Sequence, residues 1–137
     1  MPNRRNTRLL ALAALVAIGA GCTSTGGEGD VDVSLADDAV TLSPATADPG
    51  SVTFAATNDG TVTHEIEVFS GDVDPSTLPI ENNVASTDGL QLIDEIEDIT
   101  PGSSADLTID LETGTYVVMC NLPGHFEQGM YASLEVG

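Results

Sequence analysis

YVVMCNLPGHFEQGMY, residues 116–131, is the stretch that decides the fold, because it joins two apolar runs through a short irregular loop. The runs Thr115 to Cys120 and Met130 to Val136 have the apolar and β-branched residues that favour extended strands. Between them Pro123-Gly124 marks a bend, since both residue types are common in turns. The stretch predicts the last two strands of a β-domain and the loop that joins them.

Similar short runs precede this stretch, and turn residues separate them. In residues 107–111 apolar and polar side chains alternate, which is the pattern of a strand with one face in water. Counting these runs predicts seven or eight strands and no long amphipathic helix, which favours an all-β fold, a Greek-key β-sandwich or barrel. The other predicted strands cover residues 31–36, 39–44, 51–58 and 61–69.

Two segments are less regular. Residues 70–89 contain prolines and many small polar residues, so we predict a long loop with room for one helical turn. Residues 90–99 are ambiguous, because their isoleucines recur at every third position, as in a helix, whereas their leucines alternate with a polar residue, as in a strand. Since Pro101-Gly102 follows immediately, we predict a strand.

The loop of the opening stretch contains a thiol, an imidazole and a thioether, at Cys120, His125 and Met130. A soft thiolate, imidazole nitrogens and a weak axial thioether are the ligands that select copper for electron transfer, provided that a second histidine is available. The chain has one other histidine, His64. Each of these residues alone could be ordinary core packing, but their joint occurrence predicts a metal site.

Strand parity predicts that these side chains point inward and meet at one end of the sandwich. His64 alternates with Glu65, and it shares its face with apolar neighbours on both sides. Cys120 and Met130 likewise share parity with the apolar residues of their own strands. The residues that share these faces are Val62, Ile66 and Val68 with His64, Tyr116 and Val118 with Cys120, and Ala132, Leu134 and Val136 with Met130.

The spacing C-x-x-P-G-H-x-x-x-G-M resembles the ligand loop of cupredoxins, the small blue copper proteins, and is most similar to the rusticyanin and sulfocyanin type. The resemblance extends from Val31 to Gly137 and is strongest after Pro101. It implies one copper ion per chain, alternating between Cu(I) and Cu(II). It also implies electron transfer between redox protein partners, not enzymatic catalysis. The implied ligands are His64, Cys120 and His125 in a trigonal arrangement, with Met130 as the axial ligand.

One residue departs from the family pattern. Many cupredoxins follow the upstream histidine with Asn or Ser, which ties the two ligand loops together, whereas this chain has Glu65. Pro123 has no N–H to donate to the Cys120 sulfur, although Leu122 and later residues have one. The resemblance therefore does not predict which group donates to the thiolate.

The same resemblance predicts an apolar collar around His125, which would present its edge to partners. The alternative is ordinary packing of the loop. The collar residues are Leu122, Pro123, Phe126 and Tyr131.

Other function classes fit the sequence less well. A copper carrier or storage module is the main alternative, but such proteins favour Met- and His-rich tracts, and only Met119 and Met130 lie in the predicted domain. Multicopper oxidases need more histidines, and a binuclear copper centre needs a second cysteine in the loop. A G-x-S-x-G motif, as in many serine hydrolases, is absent from the sequence.

The N-terminus has the layout of a secretory signal peptide over residues 1–21, with arginines followed by twelve apolar residues from Leu9 to Ala20. As a helix these twelve would span about 18 Å, well short of the roughly 30 Å of a bilayer core. The ending at Gly21-Cys22 resembles a lipobox, so we predict lipidation of Cys22. Residues 22–30 then form a lipidated flexible tether, and residues 31–137 form a membrane-anchored extracytoplasmic domain.

All 22 acidic residues follow Cys22, and the chain has no Lys or Arg after Arg8, so the mature chain has a formal charge of −22. Binding to nucleic acid is excluded, because it depends on Lys and Arg. Self-repulsion of this size opposes compaction unless salt screens it, so we predict a halophilic host and a monomeric protein.

We therefore expect the chain to melt at a higher temperature in multimolar KCl than in about 0.1 M KCl, by more than about 5 °C, because salt screens the repulsion between carboxylates. Thermal melts followed by circular dichroism would measure the difference. Equal melting temperatures in the two buffers would contradict the adaptation to salt.

Overall fold

The computed structural model describes residues 30–137. The predicted signal peptide of residues 1–21, the lipidation site Cys22 and the tether before Asp30 lie outside the described residues. Within residues 30–137, no helix is long and apolar enough to cross a membrane.

The described chain is an all-β sandwich, as predicted. Eleven strands occur in residues 30–137, and eight of them have at least five residues, in agreement with the predicted seven or eight. Two short 3-10 helices, Pro75–Thr77 and Phe126–Gln128, interrupt the connections. The strands are β1 (Asp30–Ala36), β2 (Ala39–Ser43), β3 (Thr46–Ala47), β4 (Gly50–Asn58), β5 (His64–Ser70), β6 (Ile80–Glu81), β7 (Val84–Ala85), β8 (Gln91–Ile99), β9 (Ser104–Leu111), β10 (Gly114–Met119) and β11 (Tyr131–Val136).

Two sheets form the layers of the sandwich. One has the strand order β2-β1-β4-β9, and the other has the order β3-β11-β10-β5-β8. Their inner faces enclose the main core, because alternate residues of each strand point inward, as in the β4 pattern of buried Val52, Phe54 and Ala56. Strands β1 and β4 are parallel, as are β11 and β3, while the other pairs of the two sheets are antiparallel.

Strand β10 is buried on both of its faces. Val118 packs in the main core, whereas Val117 and Met119 pack in a second cluster on the outer side of the sheet. Residues of the 71–89 segment cover this second cluster, with Ala85 fully inside it. The double burial explains why the run that ends at Cys120 is apolar throughout instead of alternating.

The 70–89 segment is mainly loop, with the one predicted helical turn at Pro75–Thr77. The small hairpin of β6 and β7 was not predicted from the sequence. Its turn residues Asn82 and Asn83 both have a left-handed backbone, with φ of 52° and 67°, which asparagine tolerates better than most residues.

Residues 90–99 form the predicted strand, and the structure explains their helix-like spacing. Strand β8 pairs with β5 through two register shifts, each of which places one extra residue on β8. Each bulge moves the next inward residue one position along the chain. Ile93, Ile96 and Ile99 therefore all pack against the core despite a spacing of three.

The predicted strand 61–69 begins later than expected, at His64. Val62 was predicted to point inward, and this was wrong, because 46% of it is exposed. The buried side chain of Asn58 holds the preceding segment as a loop, since its Nδ2 donates to the carbonyl oxygens of Val62 and Ile99 at 2.8 and 2.7 Å. The inward orientation of His64, Ile66 and Val68 is confirmed, as all three are fully buried.

Candidate metal centre

Antiparallel pairing brings three strand ends together at one edge of the five-stranded sheet. Strand β10 lies between β5 and β11 and runs antiparallel to both, so its last residue, Met119, pairs with Tyr131 at the start of β11 and with Glu67 in the middle of β5. Cys120 directly follows β10, His64 begins β5, and Met130 directly precedes β11. His125 lies in the nine-residue loop between Cys120 and Met130, immediately before the Phe126–Gln128 helix.

Three of the four predicted ligands converge on one point. The Nδ1 atoms of His64 and His125 are 3.1 Å apart. The Cys120 sulfur lies 3.9 Å from His64 Nδ1 and 3.5 Å from His125 Nδ1. His64 and Cys120 are fully buried, and His125 is partly exposed. Three atoms that could bind a metal ion therefore meet in a largely buried cluster, and the inward orientation of His64 and Cys120 is the one that strand parity predicts.

Met130 lies next to this cluster and is fully buried. Its backbone is bound to the other loop residues, because its carbonyl oxygen accepts from Cys120 N–H at 3.0 Å and its own N–H donates to the His125 carbonyl at 3.4 Å. Gly129, which directly precedes Met130, has a left-handed backbone with φ of 114°. A Cβ at this position would lie 2.6 Å from the Asp38 carbonyl oxygen. A side chain at position 129 would thus push this end of the loop away from the β1–β2 turn.

The donor to the thiolate is a backbone group, so the departure at Glu65 does not remove it. The N–H of Glu65 points at the Cys120 sulfur at 3.5 Å, and the Leu122 N–H also donates to it. Burial raises the pKa of the Cys120 thiol, and these two donors partly offset the rise. A metal ion that replaced the thiol proton would balance the negative charge of the buried thiolate, and would so offset the free-energy cost of burying that charge.

Burial also affects the partly exposed imidazole. It lowers the pKa of His125, and the nearby His64 lowers it further. Both effects favour a neutral ring, which is the form that binds a metal.

The β6–β7 hairpin supports the loop between Cys120 and Met130. This support was not predicted from the sequence. The Asn121 side chain accepts from the Ala85 N–H at 2.8 Å and donates to the Ala85 carbonyl at 3.1 Å. The Gly124 N–H donates to the Asn83 carbonyl at 2.7 Å. These contacts fix the loop on both sides of Pro123. The only sign of this support in the sequence is that an asparagine, Asn121, directly follows the candidate ligand Cys120.

The predicted apolar collar around His125 is smaller than expected. Leu122 is half-buried and Pro123 is exposed, but Phe126 was wrongly assigned, because only 3% of it is exposed. Phe126 packs in the second cluster and stacks on Tyr131 with ring centroids 4.6 Å apart. The short helix turns its side chain away from the metal cluster and into the space beneath the 71–89 segment.

Residues 31–137 match the sequence profile of a family described as copper binding proteins, plastocyanin/azurin family. The chain belongs to this family. No curated protein sequence matches the chain.

Several solved structures share the fold of this chain. An auracyanin from Roseiflexus castenholzii has a TM-score of 0.58 and 20% identity, and the match covers 82% of this chain and 99% of the auracyanin. Rusticyanin from Thiobacillus ferrooxidans has a TM-score of 0.57 and 19% identity, with 82% and 79% covered. Auracyanin A from Chloroflexus aurantiacus, described as a "blue" copper protein, has a TM-score of 0.51 and 18% identity, with 80% and 100% covered.

The residues at the site fit the metal of this family. A thiol and two imidazole nitrogens, all within 3.9 Å of one another and mostly shielded from water, form a soft donor set suited to copper. Met130, whose backbone is hydrogen-bonded to Cys120 and His125, adds a buried thioether side chain. The protein is thus a cupredoxin with the donor set of a single type 1 copper site.

Carboxylates lie behind the ligand strand, on the outer face of the same sheet. Burial raises the pKa of Glu65, while the Asn121 N–H lowers it in part. Burial and the neighbouring Glu65 and Glu95 raise the pKa of Glu67 to about 7. One carboxyl oxygen of Glu67 is buried without a hydrogen-bond partner. Ionisation of Glu67 therefore lowers the free energy of unfolding of the protein.

We expect Glu67→Gln to stabilise the metal-free protein at pH 8 by about 1 to 2 kcal/mol and to have little effect at pH 5. Because the pKa of Glu67 rises on folding from 4.5 to about 7, the folded state holds a proton that it loses as the pH rises through 7. The free energy of unfolding of the wild type therefore falls as the pH rises from 4.5 to about 7. Glutamine does not titrate, so the variant lacks this fall.

Urea unfolding at both pH values would measure the effect, with Glu112→Gln as the control because it removes one exposed carboxylate elsewhere. A gain for Glu67→Gln that is no larger than the control's at pH 8, or that is equal at both pH values, would contradict the assignment.

Proposed function

We propose that this protein transfers single electrons between redox partners through a mononuclear type 1 copper, which His64, Cys120 and His125 would hold as strong ligands and Met130 as a weaker one. The convergence of His64 Nδ1, Cys120 Sγ and His125 Nδ1 within 3.9 Å carries the proposal. When bound there, copper would supply a one-electron couple between Cu(I) and Cu(II).

The scaffold limits rearrangement of the donors, which favours rapid electron transfer. His64 is held by the pairing of β5 with β8, and Cys120 directly follows the paired strand β10. The loop between Cys120 and Met130 is fixed by the hairpin and by the Cys120–Met130 backbone bond. Because these donors are held in place, their positions would change little when the bound copper ion gains or loses an electron. A carrier that must release its metal would gain from a looser or more exposed site.

His125 is the proposed exit for electrons. It is the one partly exposed residue among the four proposed ligands. Since its Nδ1 faces Cys120, the opposite edge of the ring points away from the cluster. The same loop contains the half-buried Leu122 and the exposed Pro123. A small contact of this kind suits brief encounters with redox proteins. The acidic surface would favour partners with a basic docking face, or partners met in high salt.

Titration of the full chain carrying Cys22→Ser with Cu(II) in high salt tests this function, because Cys120 is then its only thiol. We expect an intense thiolate-to-copper absorption band that saturates at one copper per chain, with a matching paramagnetic resonance spectrum. Cys120→Ser should abolish the band. Binding without the band in the parent chain would exclude Cys120 as a ligand and favour a copper carrier instead.

The role of Met130 is tested by a matched pair of variants in the same experiment. Met130→Leu should raise the reduction potential, because it removes a donor that stabilises Cu(II) more than Cu(I). Met119→Leu makes the same change at a fully buried position on the outer side of the sheet, and should leave the potential unchanged. Equal shifts in the two variants would exclude Met130 as the axial ligand.

We also propose that a lipid on Cys22 holds the domain at the extracytoplasmic face of the cell membrane, as a monomer. The support is the sequence layout of basic residues, a short apolar segment and the Gly21-Cys22 ending. Cys22→Ser should move the protein from the membrane fraction to the soluble fraction of its host, whereas Cys120→Ser should not. Retention of Cys22→Ser in the membrane fraction would contradict the lipid anchor.

A further inference from the structure

The turn between β1 and β2 reaches across to the buried ligand His64. This turn consists of Asp37 and Asp38, and it belongs to the sheet opposite the ligand strand. The Asp37 carboxylate lies 3.0 Å from His64 Nε2. It therefore contacts the ring on the side away from the Cys120 and His125 atoms, which face Nδ1.

The Asp37 carboxylate is itself held in place by Thr61. The Thr61 N–H donates to Oδ1 at 2.8 Å, and the Thr61 hydroxyl donates to Oδ2 at 2.6 Å. These two hydrogen bonds leave the carboxylate side chain little freedom, although 38% of it is exposed. The contact with His64 is thus one part of a three-residue arrangement.

The loop before His64 is built to allow this close approach. A Cβ at Gly60 would overlap Asp37 Oδ1 and would lie 2.7 Å from His64 Nε2. The buried Asn58 fixes Gly60 in this position, since its Oδ1 accepts from the Gly60 N–H at 2.8 Å. The Asp59 N–H also donates to the Leu35 carbonyl at 2.9 Å, which ties the loop to β1. Any larger residue at position 60 would separate the carboxylate from the ring.

An ionised carboxylate can only accept hydrogen bonds, so it places the ring proton of neutral His64 on Nε2. The lone pair of the ring then lies on Nδ1, the atom that faces Cys120 and His125. Because His64 is fully buried, the protein itself supplies this choice of tautomer.

We propose that Asp37 is a positioning residue for the copper site, which fixes the Nε2–H tautomer of His64 and, through its negative charge, favours Cu(II) over Cu(I). The inference rests on the proposed function. A carboxylate bound to the far nitrogen makes a ligand imidazole a stronger donor, and the more highly charged Cu(II) gains most from this. Asp37 therefore lowers the reduction potential without binding the metal.

Three variants of the full chain, made in the Cys22→Ser background, separate the two parts of this role. Asp37→Asn keeps an oxygen that can accept from Nε2–H but removes the charge. Asp37→Ala removes both. Asp38→Asn is the matched control, because it removes a charge from the adjacent, exposed residue of the same turn.

The first readout uses the metal-free protein. Ring ¹⁵N chemical shifts of His64 should report the Nε2–H tautomer in the parent chain, in Asp37→Asn and in Asp38→Asn, and a mixture of tautomers in Asp37→Ala. The second readout is the reduction potential with copper bound. It should shift upward in Asp37→Asn and Asp37→Ala and be unchanged in Asp38→Asn. Cu(II) affinity should fall by about 10- to 100-fold in Asp37→Ala.

Thr61→Val provides a milder test that keeps Asp37 and its charge. It removes the hydroxyl donor but leaves the backbone donor, so we expect a smaller upward shift of the potential and no change of tautomer. Circular dichroism of each variant would verify that it is folded.

Equal potentials for Asp37→Asn and Asp38→Asn would overturn the charge effect, and an unchanged tautomer in Asp37→Ala would overturn the positioning. These failures differ from failure of the proposed function, which would appear as the absence of a thiolate-to-copper band in the parent chain itself. In that case the role of Asp37 toward copper would fail as well.

Discussion

The antiparallel pairing of β10 with both of its neighbours is the constraint on which the metal centre depends. It places the end of β10 beside the start of β11 and close to the start of β5, so residues that are 56 and 10 positions apart, His64 and Met130 relative to Cys120, become neighbours. Any slip of one residue in either register would turn a ligand side chain from the inner face to the outer face of the sheet. The double burial of β10 opposes such a slip, because its apolar residues are already matched to two separate clusters.

The proposed ligands are held in place by backbone groups and by polar side chains that are not themselves proposed ligands. Glu65 and Leu122 supply N–H donors to the thiolate regardless of their side chains. Asn121 fixes the loop to the hairpin, and Asn58 fixes the segment before His64. The β1–β2 turn contacts both ligand segments, through Asp37 at His64 and through the Asp38 carbonyl beside Gly129. The two sheets therefore both contribute to the position of the donors.

Much of this site could be predicted from the sequence because strand parity and ligand spacing are local properties. The inward faces of His64 and Cys120 follow from alternation alone. The bulges of β8 and the loop at Val62 could not be predicted in this way, since both depend on how one strand pairs with another or on a buried side chain from elsewhere in the chain. Asp37 is a further case. In a sequence with 22 acidic residues nothing distinguishes the one that contacts a histidine.

The two bulges of β8 have a consequence for the behaviour of the protein at high concentration. Strand β8 is the edge of the five-stranded sheet, and a flat edge strand can recruit the edge of another molecule and begin aggregation. Here the bulges disturb the regular spacing of the free backbone groups, and exposed Asp94, Glu95, Glu97 and Asp98 line the strand. A neighbouring copy would have to bring its own carboxylates against these. We expect this edge to keep crowded copies apart.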